Sequence, residues 1–376
     1  MMTRSFLISA LVTQILFSGL TAALFFPGRA QEAMTGGEVG AQDLLVVFWN
    51  VENLFDCDGE NGGEEWSPAG EKHWTPGRLR AKCNAIGKTL LWIGEQEGRL
   101  PDIVGLAEVE NAEVLRRLVY SAPLRKAGYH YVHFDSPDPR GIDVALLYRK
   151  DVLPRPIADV LPIPGFRTRD MLQCRFPLSD PKPDNACSAA CQPVDSLTVI
   201  VVHHPSKLGG SARSQPRRQV AMSVLRDACR KSQIVVTGDF NDTPDGEAFR
   251  MLDSCLVCLS RTLYQRGEGS LKYDGKWELI DQFWVSPDLA GETAADSSDS
   301  TARRNGSEDG TPRWRCETTV IYAPFLLTRD SAHAGEKPLR TYSGPRYLGG
   351  VSDHLPIVLR LSKKDSPGET DYSSRE

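Results

Sequence analysis

Residues 234–243, Ile-Val-Val-Thr-Gly-Asp-Phe-Asn-Asp-Thr, join an apolar β-branched run to a cluster of polar side chains. The run predicts a buried strand, and Gly238 predicts a turn at its end. Asp239 and Asn241 are two residues apart, so in an extended chain both side chains leave on the same face. A carboxylate beside an amide suits a hard divalent cation and a phosphate. Gly-Asp-x-Asn is also typical of a turn, so this segment alone leaves both interpretations open.

Six further segments place polar residues at the edges of apolar strands. They are Phe-Trp-Asn-Val-Glu-Asn (48–53), Gly-Leu-Ala-Glu-Val-Glu-Asn (105–111), Arg-Gly-Ile-Asp-Val-Ala (140–145), His-His-Pro-Ser-Lys (203–207), Ile-Asp-Gln-Phe-Trp-Val (280–285) and Ser-Asp-His-Leu-Pro (352–356). Together, and in this order along the chain, they resemble the endonuclease/exonuclease/phosphatase superfamily of DNase I-like enzymes. The resemblance covers residues 43–362, and the combination is far more specific than any one segment.

The resemblance implies an α+β fold, a four-layer α/β-sandwich of two packed mixed β-sheets flanked by helices. It also implies metal-dependent hydrolysis of phosphodiester bonds. The Glu-Asn-Leu-Phe-Asp segment (52–56) and the His-x-Pro-Ser segment (203–206) resemble secreted bacterial nuclease-like members, which favours a secreted DNA or RNA endonuclease without an obligate protein partner. One alternative is a phospholipid (sphingomyelinase-like) phosphodiesterase or phosphatase, for which Trp66 and Trp74 would form an exposed loop. Another is a non-catalytic secreted binding protein on the same fold.

Three acids are candidate metal ligands. Glu108 follows the apolar stretch 102–107, where a carboxylate costs energy unless it meets a cation or a donor. The resemblance makes Glu108 the principal ligand of Mg²⁺ or Mn²⁺, with Ca²⁺ also possible, and places Glu52 and Asp353 at a second position. Asn111 is expected to begin the next helix.

Two adjacent histidines compete for one catalytic role. The secreted bacterial members have Asn-His-Trp-Pro-Ser-Arg here, and alignment on Pro205 and Ser206 places the catalytic imidazole at His203. His204 then occupies the position of the aromatic residue. The resemblance further implies that Asp143 orients His203.

A second imidazole is predicted to pair with a buried acid. Asp281 interrupts an apolar strand and therefore needs a partner, for which we propose His354. Asp239 is the candidate general base, and Asn241 is expected to help it orient the attacking water. His203 and His354 are the candidate donors to phosphate oxygens or the leaving group.

Further polar residues are candidate phosphate contacts. Asn50 is predicted to contact the phosphate or to hold a neighbouring residue, and Lys207 and Arg213 are close enough in sequence to bind phosphate. Arg140 is interpreted as a solvated loop residue, and Asn53 as a capping or turn residue.

The ends of the chain differ in composition from its centre. Residues 1–30 contain Arg4, an apolar run and Gly-Arg-Ala, which is typical of a secretory signal peptide, with an uncleaved membrane anchor as the alternative. We therefore expect a secreted or periplasmic protein. A linker at 31–42, the domain at 43–362, a polar insertion at about 286–316 and a disordered tail at 363–376 follow.

Charge and cysteine content limit the possible classes. The 376 residues carry a net charge of −5, and loss of residues 1–30 removes two arginines and makes it −7. This argues against a basic, histone-like binder, although a metal ion can hold a phosphate on an acidic surface. Nine cysteines fit an oxidising compartment with some disulfides. A local bridge between Cys187 and Cys191 is plausible, and Cys255 and Cys258 are expected to be buried or bridged.

Periodicity predicts the remaining elements. Helices are expected at 78–96, 112–124, 217–230 and 246–252, and strands at 44–49, 102–107, 129–134, 144–148, 169–176, 197–202, 279–285 and 355–361.

Overall fold

A computed structural model describes residues 43–61, 63–178, 196–206, 211–229, 233–290 and 314–363, without the side chains of 211–214 and 363. These residues belong to one compact unit, Val39–Glu376. The predicted signal peptide and linker, most of the predicted insertion and nearly all of the predicted tail lie outside the described residues. In the part of the chain that is described, no helix combines the length and the apolar character needed to cross a membrane.

The described chain contains eighteen strands and four α-helices. The strands are β1 (Leu44–Leu54), β2 (Ile103–Val109), β3 (Tyr129–His133), β4 (Asp143–Arg149), β5 (Ile157–Leu161), β6 (Met171–Pro177), β7 (Ser196–His203), β8 (Ile234–Asp239), β9 (Val257–Cys258), β10 (Leu271–Tyr273), β11 (Lys276–Glu278), β12 (Asp281–Val285), β13 (Trp314–Val320), β14 (Leu327–Arg329), β15 (Glu336–Pro338), β16 (Tyr342–Ser343), β17 (Arg346–Tyr347) and β18 (Ile357–Lys363). The helices are α1 (Pro76–Glu97), α2 (Ala112–Val119), α3 (Ser211–Ala228) and α4 (Arg261–Gln265).

Two large mixed sheets form the centre of the fold. The first has the strand order β13-β18-β1-β2-β4-β3, and the second has the order β5-β6-β7-β8-β12-β9. Parallel pairing joins β1 to β2 and β7 to β8, and the other pairs in both sheets are antiparallel. The prediction of an α+β sandwich of two packed mixed sheets is confirmed.

The two sheets approach each other closely at β2. A Cβ atom added to Gly105 would lie 3.1 Å from Phe48 of the neighbouring strand and 3.3 Å from Val201 of the second sheet. Buried apolar side chains of β1, β2, β4 and β7 share one core with those of α1, among them Ile86 and Leu90. A second cluster packs α3 against β7 and β8. Helices therefore cover the sheets on which they pack, as the sandwich requires.

Local chemistry explains where the first two helices begin and end. The Thr75 side chain accepts a hydrogen bond from the Arg78 backbone N–H, and α1 ends at Gly98 in the left-handed region. Asn111 caps α2 as predicted. Helix α2 ends at Val119 rather than at residue 124, because Pro123 disfavours helical conformation in the residue before it.

Other element predictions were wrong in position or missing. Helix α3 begins at Ser211 rather than at residue 217, and β5 was not predicted because its segment is rich in proline. The short helix predicted at 246–252 is present as a 3₁₀ helix at Glu247–Met251. Gly238 lies inside β8 rather than in a turn. A Cβ there would lie 2.0 Å from the Val202 carbonyl oxygen of the parallel strand, so the close packing of the strands, not a turn, requires glycine.

The aromatic loop and the cysteines also differ from expectation. Trp66 and Trp74 are buried against each other and against Tyr342, so they do not form an exposed lipid-binding surface. Among the described residues, Cys57, Cys83, Cys174, Cys229, Cys258 and Cys316 form no disulfide. Cys258 is buried, which is one of the two outcomes expected for it. Cys187 and Cys191 lie outside the described residues.

Candidate active site

The strand directions bring the predicted polar residues to one edge of the sandwich. The parallel strands β7 and β8 end together, with His203 opposite Asp239. Strand β12 runs the other way and begins at Asp281, also opposite Asp239. Asp281 therefore starts its strand and does not interrupt it. His354 lies just before β18, which is antiparallel to β1.

Asp239 is the centre of this group. Its Oδ1 accepts a hydrogen bond from the Asn241 backbone N–H (2.8 Å), and its Oδ2 accepts one from the Asn50 amide (3.0 Å). His203 Nε2 lies 3.5 Å from the same Oδ2, and His354 Nε2 lies 3.9 Å from it. Asn50 thus holds a neighbouring residue, which was one of its two predicted roles. The Asn241 amide instead donates to the His204 carbonyl oxygen (2.9 Å).

The predicted pairing of Asp281 with His354 is present. His354 Nδ1 lies 2.7 Å from Asp281 Oδ2, and both side chains are buried. Burial opposes the charged imidazole, but the Asp281 carboxylate and its hydrogen bond hold the pKa of His354 well above its usual range. His354 is therefore positively charged at neutral pH.

The two adjacent histidines point to different surroundings. His203 contacts Asp239, whereas the His204 ring packs edge-on against Phe240 at 5.0 Å between ring centroids. Burial lowers the pKa of His204 to about 3 and, reinforced by the charges of Arg169 and Arg140, holds that of His203 well below its usual range. The geometry thus separates a site histidine from one in the aromatic position.

The predicted support of His203 by Asp143 is absent. His203 Nδ1 is buried without a hydrogen-bond partner among the described residues. Asp143 Oδ1 instead accepts hydrogen bonds from the backbone N–H and the hydroxyl of Ser136, and its Oδ2 lies 3.3 Å from His133. The β3–β4 hairpin places His133 beside Asp143, so the Asp143 carboxylate contacts a residue of the neighbouring strand in the same sheet and does not contact His203.

Glu108 lies at a β-bulge. The pairing of β2 shifts register between Ala107 and Val109, and Glu108 has φ 64°. A bulge of this kind redirects one side chain at the end of a strand. The Glu108 carboxylate accepts hydrogen bonds from the Asn53 backbone N–H (2.9 Å) and from Arg140 (3.3 Å). Arg140 also donates to the Asn53 side chain (2.8 Å), so this half-exposed arginine has partners besides solvent. Asn53 has φ 55°, and its carbonyl oxygen accepts a hydrogen bond from the Phe55 N–H (3.1 Å), in keeping with the turn role predicted for it.

Glu52 and Asp353 share a cation. Arg340 donates to Glu52 (2.8 Å) and lies 3.1 Å from Asp353. The Thr341 backbone N–H occupies the other Glu52 oxygen, and the Lys82 ammonium donates to the Glu52 backbone carbonyl. Burial and the nearby Asp353 raise the pKa of Glu52 to about 7, against the charges of Lys82 and Arg340. The structure brings this pair together but puts an arginine between them.

The backbone at these positions is strained. Seven non-glycine residues in the described chain have positive φ, and four of them are Glu52 (50°), Asn53 (55°), Glu108 (64°) and Asn241 (52°). Such conformations cost of order 1–3 kcal/mol each and persist where the surrounding structure enforces them. These four residues lie at or just after the ends of β1, β2 and β8, where the candidate site residues lie.

Burial also perturbs the central acid. It raises the pKa of Asp239 to about 7, against the opposing charge of His354. Asp239 therefore titrates near neutral pH, as a general base requires. Perturbed groups of this kind gather at functional sites.

Sequence reasoning missed three basic residues besides Arg140. The sequence around Arg340 and Arg169 gives no indication of their roles, because their partners are distant in sequence. Arg169 binds Asp138 (2.9 Å) and the His204 carbonyl oxygen (3.0 Å). Lys82 lies on the buried face of α1 at helical spacing from Leu79, which was a detectable signal. Lys207 and the side chain of Arg213 lie outside the described residues.

Two groups of side chains in the described residues bring three potential metal ligands within 4.8 Å: Asp239 with Asp281 and His354, and His133 with Asp135 and Asp143. In the first group His354 Nδ1 is hydrogen-bonded to Asp281, while Asp281 Oδ1 is buried without a hydrogen-bond partner. The predicted ligands Glu108, Glu52 and Asp353 form no such group.

Two packed mixed sheets with acids, amides and imidazoles at one edge define the DNase I-like class of α+β sandwich proteins. A family model described as "Endonuclease/Exonuclease/phosphatase family" matches residues 45–363. The chain belongs to this family, whose hydrolases act on phosphoester bonds.

Similar solved structures have low sequence identity. Humanized D. rerio TDP2 with 14 mutations is 12% identical, with 85% of this chain and 99% of that chain covered and a TM-score of 0.49. A Bacteroides thetaiotaomicron protein of the same family is 14% identical, covers 85% and 95%, and has a TM-score of 0.48. D. rerio TDP2 complexed with single-strand DNA product is 13% identical, covers 85% and 99%, and has a TM-score of 0.48. No curated protein matches the sequence.

Proposed function

We propose that the protein is an exported, divalent-metal-dependent phosphodiesterase that cleaves DNA or RNA. The observation that carries the proposal is Asp239 held between amide donors and two histidines, beside the paired acid Asp281. The signal-like composition of residues 1–30 supports export, and the forms of segments 52–56 and 203–206 support a nucleic-acid substrate.

Hydrolysis of a phosphodiester needs a base for water, donors to the non-bridging oxygens and a proton for the leaving alkoxide. We assign the base to Asp239, since burial brings the pKa of its carboxyl to about 7. His354 carries the positive charge and the proton that Asp281 stabilises, so it suits the leaving group or a phosphate oxygen. His203, held neutral by burial, can donate a hydrogen bond without bringing a charge.

The residues present fit a hard divalent cation. Glu108 lies at a β-bulge, and its carboxylate accepts two hydrogen bonds from the described residues, so lone pairs remain for an ion such as Mg²⁺ or Mn²⁺. When bound, the cation would neutralise charge on the phosphate oxygens. Arg140 contacts Glu108, and about half of its side chain is exposed, so its guanidinium is available to donate to a substrate phosphate. Glu52 and Asp353 keep Arg340 as their cation.

The test is a substrate panel of plasmid DNA, RNA and sphingomyelin with Mg²⁺, with and without EDTA. We expect EDTA-sensitive cleavage of nucleic acid that Glu108→Gln abolishes. Glu113→Gln is the matched control, because Glu113 is an exposed acid paired with arginines on α2. Hydrolysis of sphingomyelin alone would show that the substrate is a phospholipid and not a nucleic acid. No hydrolysis with any divalent ion would favour a binding protein on this fold.

A further inference from the structure

We propose that His133, Asp135 and Asp143 form a binding site for a first-row transition-metal ion at the base of the loop between β3 and β4. Each of the three offers one ligand atom, and these atoms lie within 4.8 Å of one another. None of the three belongs to the group around Asp239. The site is thus additional to the cation site proposed at Glu108.

The imidazole of His133 is the observation that points to a ligand. Its side chain is only 4% exposed, and its Nε2 is buried with no hydrogen-bond partner in the described chain. Leaving a buried polar atom unsatisfied costs about 1–3 kcal/mol. Nε2 faces Asp143 Oδ2 at 3.3 Å. Two ligands each about 2.1 Å from a tetrahedral Zn²⁺ are separated by about 3.4 Å, so one ion between these atoms fits the observed distance.

The carboxylates are arranged to complete the site. Ser136 occupies Asp143 Oδ1 through its backbone N–H and its hydroxyl, which orients Oδ2 toward His133. His133 pairs with Ala145 across the hairpin, so it is one diagonal step from Asp143 on the same face of the sheet. Asp135 is 89% exposed, and its Oδ1 lies 3.9 Å from His133 Nδ1, so its free side chain has to turn toward Nε2 to reach the same ion.

The donor set selects the kind of metal. One imidazole with two carboxylates suits Zn²⁺ or Mn²⁺, whereas Mg²⁺ and Ca²⁺ prefer oxygen ligands alone. Zn²⁺ is the sharper probe, because divalent affinities for nitrogen and oxygen sites rise from Mn²⁺ toward the end of the first row. Excess Mg²⁺ should therefore not displace Zn²⁺ from this site.

An ion here would fix both ends of the loop 134–142. This loop carries Asp138, which binds the buried Arg169, and Arg140, which contacts Glu108. A metal joining the end of β3 to the start of β4 would restrain the segment that brings Arg140 to the catalytic edge. The site thus has a positioning role and does not supply a reacting group.

The test is zinc binding by the metal-free protein, measured by equilibrium dialysis in excess Mg²⁺ with elemental analysis of the retained metal. We expect about one Zn²⁺ per chain, and affinity lower by at least about 10- to 100-fold in His133→Asn and Asp135→Asn. Asp135→Asn is informative because its exposed side chain is not needed for packing. His130→Asn, an exposed histidine on the same strand, should bind like the wild type.

His354→Asn separates this site from the catalytic one, whatever the enzyme's activity. It should retain the zinc, because His354 belongs to the group around Asp239. The proposal fails if the wild type retains no zinc, if the His133 and Asp135 variants bind zinc like the wild type, or if His354→Asn is the variant that loses it.

Discussion

The substitution Asp281→Asn tests the acid and base assignments with almost no change in side-chain volume. It removes the charge that faces His354 Nδ1 at 2.7 Å in a fully buried setting. At an effective dielectric constant of about 20, the gross attraction at that distance is about 6 kcal/mol. Desolvation of both ions takes back part of it, and breaking such buried pairs costs about 3–5 kcal/mol.

The catalytic consequence follows from the protonation of His354. Without the carboxylate, the pKa of this imidazole falls, and less of it carries a proton at neutral pH. Loss of a positioned proton donor lowers turnover by about 10²- to 10⁴-fold, or about 2.7–5.4 kcal/mol of barrier. The alkaline limb of the variant's residual activity should therefore lie at lower pH than that of the wild type, because a more acidic solution is needed to keep the imidazolium.

Folding stability should show the same linkage. A raised folded-state pKa means that His354 adds stability that is fully present below its unfolded value of about 6.5. This stability is lost as the pH rises through the folded-state value. The difference in unfolding free energy between wild type and variant should therefore be largest below about pH 6.5 and shrink in alkali.

The matched control is Asp102→Asn. Asp102 is as fully buried as Asp281 and pairs with Arg99 (2.6 Å), but it lies before β2, at the end of the sheet opposite Glu108. Turnover of bis(p-nitrophenyl) phosphate is measured from pH 5 to pH 9 for both variants, with urea unfolding alongside. If Asp281→Asn retains turnover within about threefold of the control, a difference below 1 kcal/mol, the assigned role of the pair is refuted.

Three further outcomes are expected. The acid limb of kcat/KM should lie near pH 7, because the pKa of Asp239 is raised to about 7 and activity is lost as this group is protonated. If the residual activity of Asp239→Asn shows the same acid limb, the assignment of Asp239 as the base is wrong. His204→Phe should keep activity and raise the unfolding free energy by about 1 kcal/mol, since both ring nitrogens of His204 are buried without hydrogen-bond partners among the described residues. His203→Phe should abolish activity. Equal losses of activity in the two variants would refute the distinction between the histidines. Gly238→Ala should lower the free energy of unfolding by about 3 kcal/mol or more, measured with urea, because the new methyl group meets the Val202 backbone. An unchanged free energy of unfolding would contradict the close packing of β7 and β8.

Sequence patterns located the acids because each follows or opens an apolar strand. Glu108 and Asp239 lie near the ends of β2 and β8, and each of these strands is paired in parallel with a neighbour in its own sheet. The hydrogen bond from Asn50 of β1 to Asp239 of β8 shows that the carboxyl ends of these parallel strands meet across the two sheets. The partner of Asp281 could also be predicted, because a buried acid needs a donor or a cation and His354 lies beside another core strand. These inferences needed only periodicity and the cost of burying charge.

The partners of Asp143 and Glu52 could not be predicted in the same way. Choosing between His133 and His203 for Asp143 requires the register of the β3–β4 hairpin, which its long connection does not fix. Arg340 reaches Glu52 across 288 residues of chain, and nothing around it marks an arginine with a site role. Local sequence predicts where an acid must be compensated, but not which distant cation does it.

Compensation of charge also distinguishes Asp239 from the other acids. Glu52 and Asp353 share Arg340, Glu108 has Arg140, and Asp281 has His354. The two hydrogen bonds to Asp239 come from neutral amides, and His354, which offsets its burial in part, is itself paired with Asp281. Its carboxyl therefore exchanges a proton near neutral pH, while His354 keeps its own. The pKa of Glu52 is also raised to about 7, but its oxygens accept hydrogen bonds from Arg340 and Thr341. Asp239 lies beside His203 and His354, so it is the carboxylate that can take a proton from water while His354 supplies another to the leaving group.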